Sequence, residues 1–196
     1  MRISLMLFVL AVFFSGCATT RAHRSEGAVR SVIESATSLL GADRIRHRGK
    51  SYRSDCSGFV TATYAGTSVE LLRPGVRGAS ATEMMFQTLK ERGQLRPDSR
   101  LRPGDLLFFH NTWDRNKNGL RDDPFSHVGI VHTVDSDGTT SFFHYASGRV
   151  KRAVMNLRHP QEARNPDSGK TWNSAIRRGR GRVLAGQLFF RAGHPL

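Results

Sequence analysis

The stretch His127–Val134, which reads HVGIVHTV, is rich in β-forming residues. A turn signal, Ser-Asp-Gly at 136–138, separates it from Ser141–Ser147 (SFFHYAS), so the two stretches predict a β-hairpin. Two further stretches have strand composition, Asp105–His110 (DLLFFH) upstream and Leu184–Arg191 (LAGQLFFR) at the end of the chain. We therefore expect an antiparallel sheet in the second half of the chain.

The first half of the chain predicts helices instead. Residues 25–41 carry apolar residues at helical spacing, and similar stretches cover 56–66 and 80–92. Ser80 and Glu83 form a capping-box pattern at the start of the third stretch. Helices followed by strands predict an α+β fold, in which N-terminal helices pack on a central antiparallel sheet.

Residues 1–17 predict a lipoprotein signal peptide. Arg2 precedes a short apolar core, and small residues stand directly before Cys17. The pattern resembles a lipobox, in which the cysteine is lipidated and becomes the mature N-terminus. An ordinary signal peptide cut nearby is the alternative. Lipid chains on Cys17 would anchor the protein to a membrane of the cell envelope, on the periplasmic side.

The charge balance favours anionic partners. The 196 residues carry a formal net charge of +14, with a pI of about 11.2. We expect no nucleic acid partner, because an exported protein rarely meets one. We divide the mature chain into a short tether (18–24) and one domain (25–196) with a basic C-terminal extension. Its run at 177–182 either contacts anionic envelope polymers or is a solvated loop. The sequence predicts no oligomeric state.

The segment Asp55–Val60 (DCSGFV) places Cys56 at the start of a predicted helix. There the unpaired N–H groups and the helix dipole lower the pKa of a thiol and can bind an oxyanion. Gly58 would let a substrate approach closely. A buried structural cysteine is the alternative, although the polar neighbours Asp55 and Ser57 weaken it.

A thiol nucleophile needs a base and a group that orients the base. His127 opens the strand HVGIVHTV, and His144 lies in the next predicted strand. Pairing in a hairpin would bring the two imidazoles close together. The chain has eight histidines, so residue type alone does not identify the base.

Four motifs occur in a fixed order: Cys56 in DCSGFV, PGDLLFF at 103–109, His127 in SHVGIV and His144 in FFHYAS. This order resembles the NlpC/P60 peptidases. The resemblance implies a papain-like α+β fold with Cys56 as nucleophile, His127 as base and His144 as orienting residue. It also implies hydrolysis of peptidoglycan stem peptides, mostly at γ-D-glutamyl-diamino acid bonds, with no cofactor required for catalysis.

The region before the nucleophile departs from the family pattern. Family members usually have a site-lining tyrosine about a dozen residues before the cysteine, whereas Tyr52 is closer and follows a basic stretch. We keep Tyr52, Asp55 and Ser57 as candidate substrate and oxyanion residues. The basic stretch predicts either a basic rim of the site or a solvated loop. Asp105 of the PGD motif is interpreted as structural.

Residues 114–123 (DRNKNGLRDD) match the start of a calcium loop, with oxygen ligands at positions 1, 3 and 5 and glycine at position 6. Position 12 should be glutamate but is Phe125. An Asn/Gly turn cluster without metal is the alternative. The candidate calcium ligands are Asp114, Asn116, Asn118, Asp122 and Asp123.

Two other functions remain open. The first is an amidase or acyltransferase that uses the same scaffold on a different amide. The second is a non-catalytic lipoprotein that only binds the cell wall. The expected partners are peptidoglycan and the membrane that holds the lipid anchor.

Overall fold

The computed structural model describes residues 16–97, 100–177 and 182–196, with side chains from residue 26 onward. Most of the predicted signal peptide, the side chain of Cys17 and part of the basic C-terminal run therefore lie outside the described residues. Within the described ranges, no helix has both the length and the apolar character needed to cross a membrane.

Helices dominate the first half, as the sequence predicts. The helices of the described residues are α1 (Gly16–Ser38), α2 (Cys56–Tyr64), α3 (Ala81–Glu91) and α4 (Ala185–Leu188). Helix α1 begins at Gly16, so the stretch predicted as a tether, 18–24, lies within this helix. Ser80 caps α3 by accepting the N–H of Glu83 at 3.2 Å, as the capping pattern predicts.

The strands of the described residues fall mainly in the second half. They are β1 (Arg46–His47), β2 (Lys50–Ser51), β3 (Leu95–Arg96), β4 (Leu106–Phe109), β5 (His127–Val134), β6 (Thr139–Ala146), β7 (Arg149–Asn156) and β8 (Phe189–Gly193). Strands β3 to β8 form one antiparallel sheet in the order β3-β8-β4-β5-β6-β7, and β1 pairs with β2. The predicted α+β fold, with helices on a central antiparallel sheet, is confirmed.

The prediction of one closing strand over Leu184–Arg191 is wrong in its first half. The side chain of Gln187 accepts the N–H of Leu184 at 3.0 Å and closes the helical turn α4. Strand β8 begins only at Phe189 and inserts between β3 and β4. A side-chain cap of this kind competes with strand pairing, and composition alone does not reveal it.

Both faces of the sheet are covered. On β4, Leu106 and Phe108 pack with α1, α2 and α3, while the alternate residues Leu107 and Phe109 pack against α4 and the C-terminal segment. Strands β4, β5 and β6 are therefore mostly buried, and the start of β5 is fixed between two apolar layers. That start carries His127.

The PGD motif has a structural role. The buried carboxylate of Asp105 lies 2.5 Å from His194 Nδ1 and accepts the N–H of Arg102 at 2.8 Å. The hydroxyl of Tyr64 in α2 donates to the carbonyl of Gly104. These contacts join α2, the start of β4 and the C-terminus, and they support the structural interpretation of Asp105.

Candidate active site

Asp55 fixes the start of the helix that carries Cys56. Its Oδ1 accepts the N–H of Gly58 at 2.8 Å and the hydroxyl of Ser57 at 2.7 Å, and its Oδ2 accepts Arg53 Nε at 2.7 Å. Partial burial raises the pKa of the Asp55 carboxyl, but these three donors outweigh burial and hold the pKa below its usual value. Asp55 therefore acts as the N-cap of α2.

Packing against the preceding backbone requires a glycine at position 58. A Cβ atom at this position would lie 2.0 Å from the carbonyl oxygen of Arg53, far inside contact distance. The close approach expected at Gly58 is therefore that of the segment before the nucleophile rather than that of a substrate.

Cys56 is half-buried at the first position of α2. Burial raises the pKa of its thiol above the ordinary value, and the negative charge of Asp55 raises it further. The N–H groups of Val128 and Ser57 and the hydroxyl of Thr82, 4.0 Å from Sγ, act in the opposite direction without reversing the shift. The expected lowering of the thiol pKa is therefore wrong for the resting site, because the helix terminus competes with burial.

His127 and His144 form a buried pair. His127 Nε2 lies 2.9 Å from His144 Nδ1, within hydrogen-bond distance, and the two rings meet edge to face. Strands β5 and β6 are adjacent, and Ile130 is paired with Phe143 in their register. The hairpin therefore brings together the two histidines that the sequence nominates.

The residues before His127 are held by specific contacts. The N–H of Phe125, which has a positive φ of 47°, donates to His110 Nδ1 at 2.9 Å. Ser126 Oγ accepts the N–H of Thr112 at 2.9 Å. Because these bonds join the end of the β4–β5 loop to residues directly after β4, they fix the entry of the chain into β5 and hence the position of His127.

A cavity of about 650 Å³ contains the candidate nucleophile and the candidate base. Cys56 and His127 both line it, as do Asp55 and Ser57. This volume is within the range of small-ligand sites. Tyr52 is not among the described residues that line the cavity; it is half-buried and packs against the core. Its proposed part in substrate binding stays a prediction.

Several residues that line the cavity were not nominated as site residues by the sequence. Thr82 belongs to the first turn of α3, while Trp113 and Arg115 belong to the β4–β5 loop. Tyr145 follows His144 directly, and its hydroxyl donates to the carbonyl of Asp43 at 2.7 Å. The adjacency of Tyr145 to His144 was visible in the sequence, whereas the other three reach the cavity only through tertiary packing.

The predicted calcium loop is ordered by its own hydrogen bonds. Asp114 accepts the N–H groups of Asn118 and Gly119 at 3.1 and 2.8 Å, and Asp122 accepts the amide groups of Asn116 and Asn118. The side chains of four of the five candidate ligands thus take part in hydrogen bonds within the loop.

The fifth candidate ligand, Asp123, is buried, and its N–H donates to Asn111 Oδ1 at 2.8 Å. In the part of the chain that the structure describes, no three His, Cys, Asp or Glu side chains are grouped as metal ligands. Asparagine oxygens would therefore have to complete a calcium site. Calcium binding stays a prediction.

One of three comparisons with known proteins gives a match. Residues 42–167 match the model of the NlpC/P60 family, a span that contains Cys56, His127, His144 and, apart from Ile176, the described residues that line the cavity. Neither curated proteins nor solved structures give a match. Because the matched span covers more than half of the chain, the protein belongs to the NlpC/P60 family of cysteine peptidases and amidases, which act on the cell wall.

Proposed function

We propose that this protein is a cell-wall cysteine peptidase that hydrolyses amide bonds in peptidoglycan stem peptides, of the γ-D-glutamyl-diamino acid type. One observation carries the proposal. Cys56 and His127 line one cavity, and His127 Nε2 lies 2.9 Å from His144 Nδ1. A thiol, a base and an orienting group in this order form the constellation that nucleophilic catalysis requires.

The pair of histidines has a preferred arrangement of protons. One nitrogen of the contact must donate and the other must accept, because two N–H groups would repel each other. We assign the proton to His127 Nε2, so that His144 Nδ1 accepts it. His127 Nδ1 then has a lone pair that accepts the proton of the Cys56 thiol. The imidazolium that forms still donates from Nε2 to His144, which stabilises its charge.

The chemical steps follow from this arrangement. As the thiol proton moves to His127, Sγ of Cys56 attacks the carbonyl carbon of the scissile amide. The N–H groups at the start of α2 stabilise the oxyanion of the tetrahedral intermediate. The C–N bond breaks as His127 returns the proton to the leaving amine, which leaves a thioester on Cys56. Water, deprotonated by His127, hydrolyses that thioester and restores the thiol.

Burial of the Cys56 thiol delays formation of the nucleophilic thiolate until the proton is transferred. Because the pKa of Cys56 is raised in the resting site, the neutral thiol predominates until the proton passes to His127. The attacking species is therefore a thiolate paired with an imidazolium. This favours reaction with a bound substrate over reaction with small electrophiles in solution.

The N-terminus supplies the proposed location. We extend the proposal to a lipid anchor on Cys17, which rests on the apolar segment and the small residues that precede it. The anchor would hold the enzyme at a membrane of the cell envelope, on its periplasmic side, within reach of peptidoglycan.

Digestion of purified sacculi tests the activity. The wild type should release peptides that mass spectrometry identifies as products of amide cleavage, and Cys56→Ala should release none. Sedimentation with sacculi and no released peptide from either protein would favour the wall-binding alternative. Cleavage of simple N-acyl amides, with stem peptides left intact, would favour the amidase alternative. Equal release by the wild type and Cys56→Ala would contradict the role of Cys56.

A further inference from the structure

We infer that Arg115, with Arg53, binds a free carboxylate of the substrate beside the scissile amide. Both arginines line the cavity that contains Cys56 and His127. The inference rests on the proposed peptidase function and narrows its substrate class. The favoured substrates are peptides in which a residue next to the cleaved bond carries an unmodified carboxylate.

The charges at the cavity are unbalanced. Among the described residues that line it, Arg53 and Arg115 are cationic and Asp55 is the one carboxylate. The carboxylate of Asp55 already caps α2 by accepting the N–H of Gly58, and it pairs with Arg53 Nε at 2.7 Å. A ligand that enters this cavity therefore meets a net positive wall, which attracts an anionic group.

Arg115 carries most of the argument. In the described ranges it belongs to none of the ion pairs, and it is half-buried at the cavity rather than fully exposed. Its neighbour Asp114 is bonded to the N–H groups of Asn118 and Gly119, which orders the backbone beside it. A guanidinium has a planar fork of N–H donors, which is suited to bind a carboxylate in two parallel hydrogen bonds.

The second arginine, Arg53, lies three residues before Cys56 in the sequence. Only its Nε is bonded to Asp55, and its side chain is 84% exposed. The salt bridge to the N-cap restrains the guanidinium while the side chain lines the cavity. Arg53 therefore adds a second positive charge close to the residue that forms the acyl-enzyme.

The chemistry of a γ-glutamyl linkage fits this site. The side-chain carboxyl forms the amide, so the α-carboxyl of the glutamyl residue stays free next to the scissile bond. The diamino acid on the other side carries carboxylates too. Amidation of such a carboxylate removes its charge and two acceptor sites, so we expect amidated stem peptides to be poor substrates.

Three matched stem peptides test the inference: one with all carboxylates free, one with a glutamyl α-carboxamide and one with the diamino acid amidated. For the wild type, kcat/KM should fall about 10- to 100-fold on one of the two amidated peptides, the range for loss of a charged hydrogen bond. Arg115→Gln should lower kcat/KM by a similar factor on the free peptide and by less than about 3-fold on that amidated one.

Arg121→Gln is the matched control, because it removes a positive charge from the same loop at an exposed position that does not line the cavity. It should behave as the wild type on all three peptides. Arg53→Gln should act as Arg115→Gln does, and Arg53→Lys should restore part of the loss.

The outcomes separate the two proposals. Equal cleavage of the three peptides by the wild type, or an equal loss on all three in Arg115→Gln, would overturn the carboxylate inference and leave the peptidase proposal intact. If the wild type cleaves none of them, both proposals fall.

Discussion

His127 Nε2 and His144 Nδ1 are 2.9 Å apart, and both rings are buried at the junction of β5 and β6. In the proposed mechanism, this relationship gives the base His127 an orienting residue from the next strand. A buried imidazole that must gain and lose a proton needs an acceptor that fixes its tautomer and stabilises its charged form. The surroundings of His144, with the ring of Phe142 at 5.2 Å, keep that acceptor in place.

We predict that His144→Ala lowers kcat by about 100- to 10,000-fold, the range for loss of an orienting group. The physical reason is loss of the acceptor for His127 Nε2–H, which allows the wrong tautomer and orientation. In steady-state kinetics, the acidic limb of the profile of kcat against pH should be displaced from that of the wild type. His144→Asn, which retains an acceptor, should recover part of the rate. An unchanged kcat and pH profile in His144→Ala would refute this role.

We predict that alkylation of Cys56 depends on His127. Since burial raises the pKa of the thiol above its ordinary value of 9.0, little thiolate forms near neutral pH without a base. In His127→Ala, labelling of the Cys56 peptide by iodoacetamide should become fast only above about pH 9, whereas the wild type should react at lower pH. Quantitative mass spectrometry distinguishes this peptide from the one that contains Cys17. Identical pH profiles would show that the two side chains do not share a proton.

We predict that Asp55→Ala lowers the free energy of unfolding by about 1 kcal/mol, since it removes the N-cap of α2. Asp55→Asn should retain most of the cap. The control is Asp43→Ala, which should be nearly neutral. Asp43 is exposed, and its carboxylate accepts the N–H of the adjacent Arg44. Urea unfolding provides the measurement. A loss from Asp43→Ala as large as that from Asp55→Ala would rule out a specific cap.

The contribution of Asp55 to the free energy of unfolding should depend on pH. Because the pKa of Asp55 is lowered in the folded state, its charge stabilises the fold above the ordinary pKa of 3.8. The contribution disappears as the pH falls through the lower, folded-state pKa. The gap in stability between the wild type and Asp55→Asn should therefore narrow in acid, measured by urea unfolding at several pH values. A gap that widens in acid would contradict the shift.

We predict that the wild type binds calcium at the loop 114–123 and that Asp114→Ala does not. Asp114 would supply a charged oxygen ligand and accepts two N–H groups that shape the loop. Titration calorimetry provides the measurement, with Asp43→Ala as a control that should bind as the wild type does. Absence of heat from the wild type would leave the loop as an Asn/Gly turn cluster.

The sequence predicted the parts of the fold whose signals are local. The hairpin of β5 and β6 follows from β-forming composition around a turn, and the helix at Cys56 follows from residues at helical spacing over 56–66. Strand β7 was missed because the basic residues Arg149, Lys151 and Arg152 interrupt the alternation of apolar and polar residues that marks a strand. The pairing of β8 between β3 and β4 joins distant segments and has no local signal.

The candidate site was predictable in its chemistry and less so in its surroundings. Cys56, His127 and His144 stood out through motif order, whereas Trp113 and Arg115 reach the cavity only because the β4–β5 loop closes near it. The direction of the shift in the thiol pKa of Cys56 was mispredicted because it, too, depends on tertiary packing. A helix start is visible in sequence, but the burial that opposes it depends on packing against β5 and α3.

The most direct test of the account is the mass of the Cys56 peptide during the first turnover. Excess wild-type enzyme is mixed with a stem peptide, quenched in acid at intervals, digested and analysed by mass spectrometry. We predict a transient adduct on Cys56 whose mass equals the acyl portion of the substrate, formed as the amine product appears. Product that accumulates through the first turnover while Cys56 stays unmodified at every time point would contradict the account.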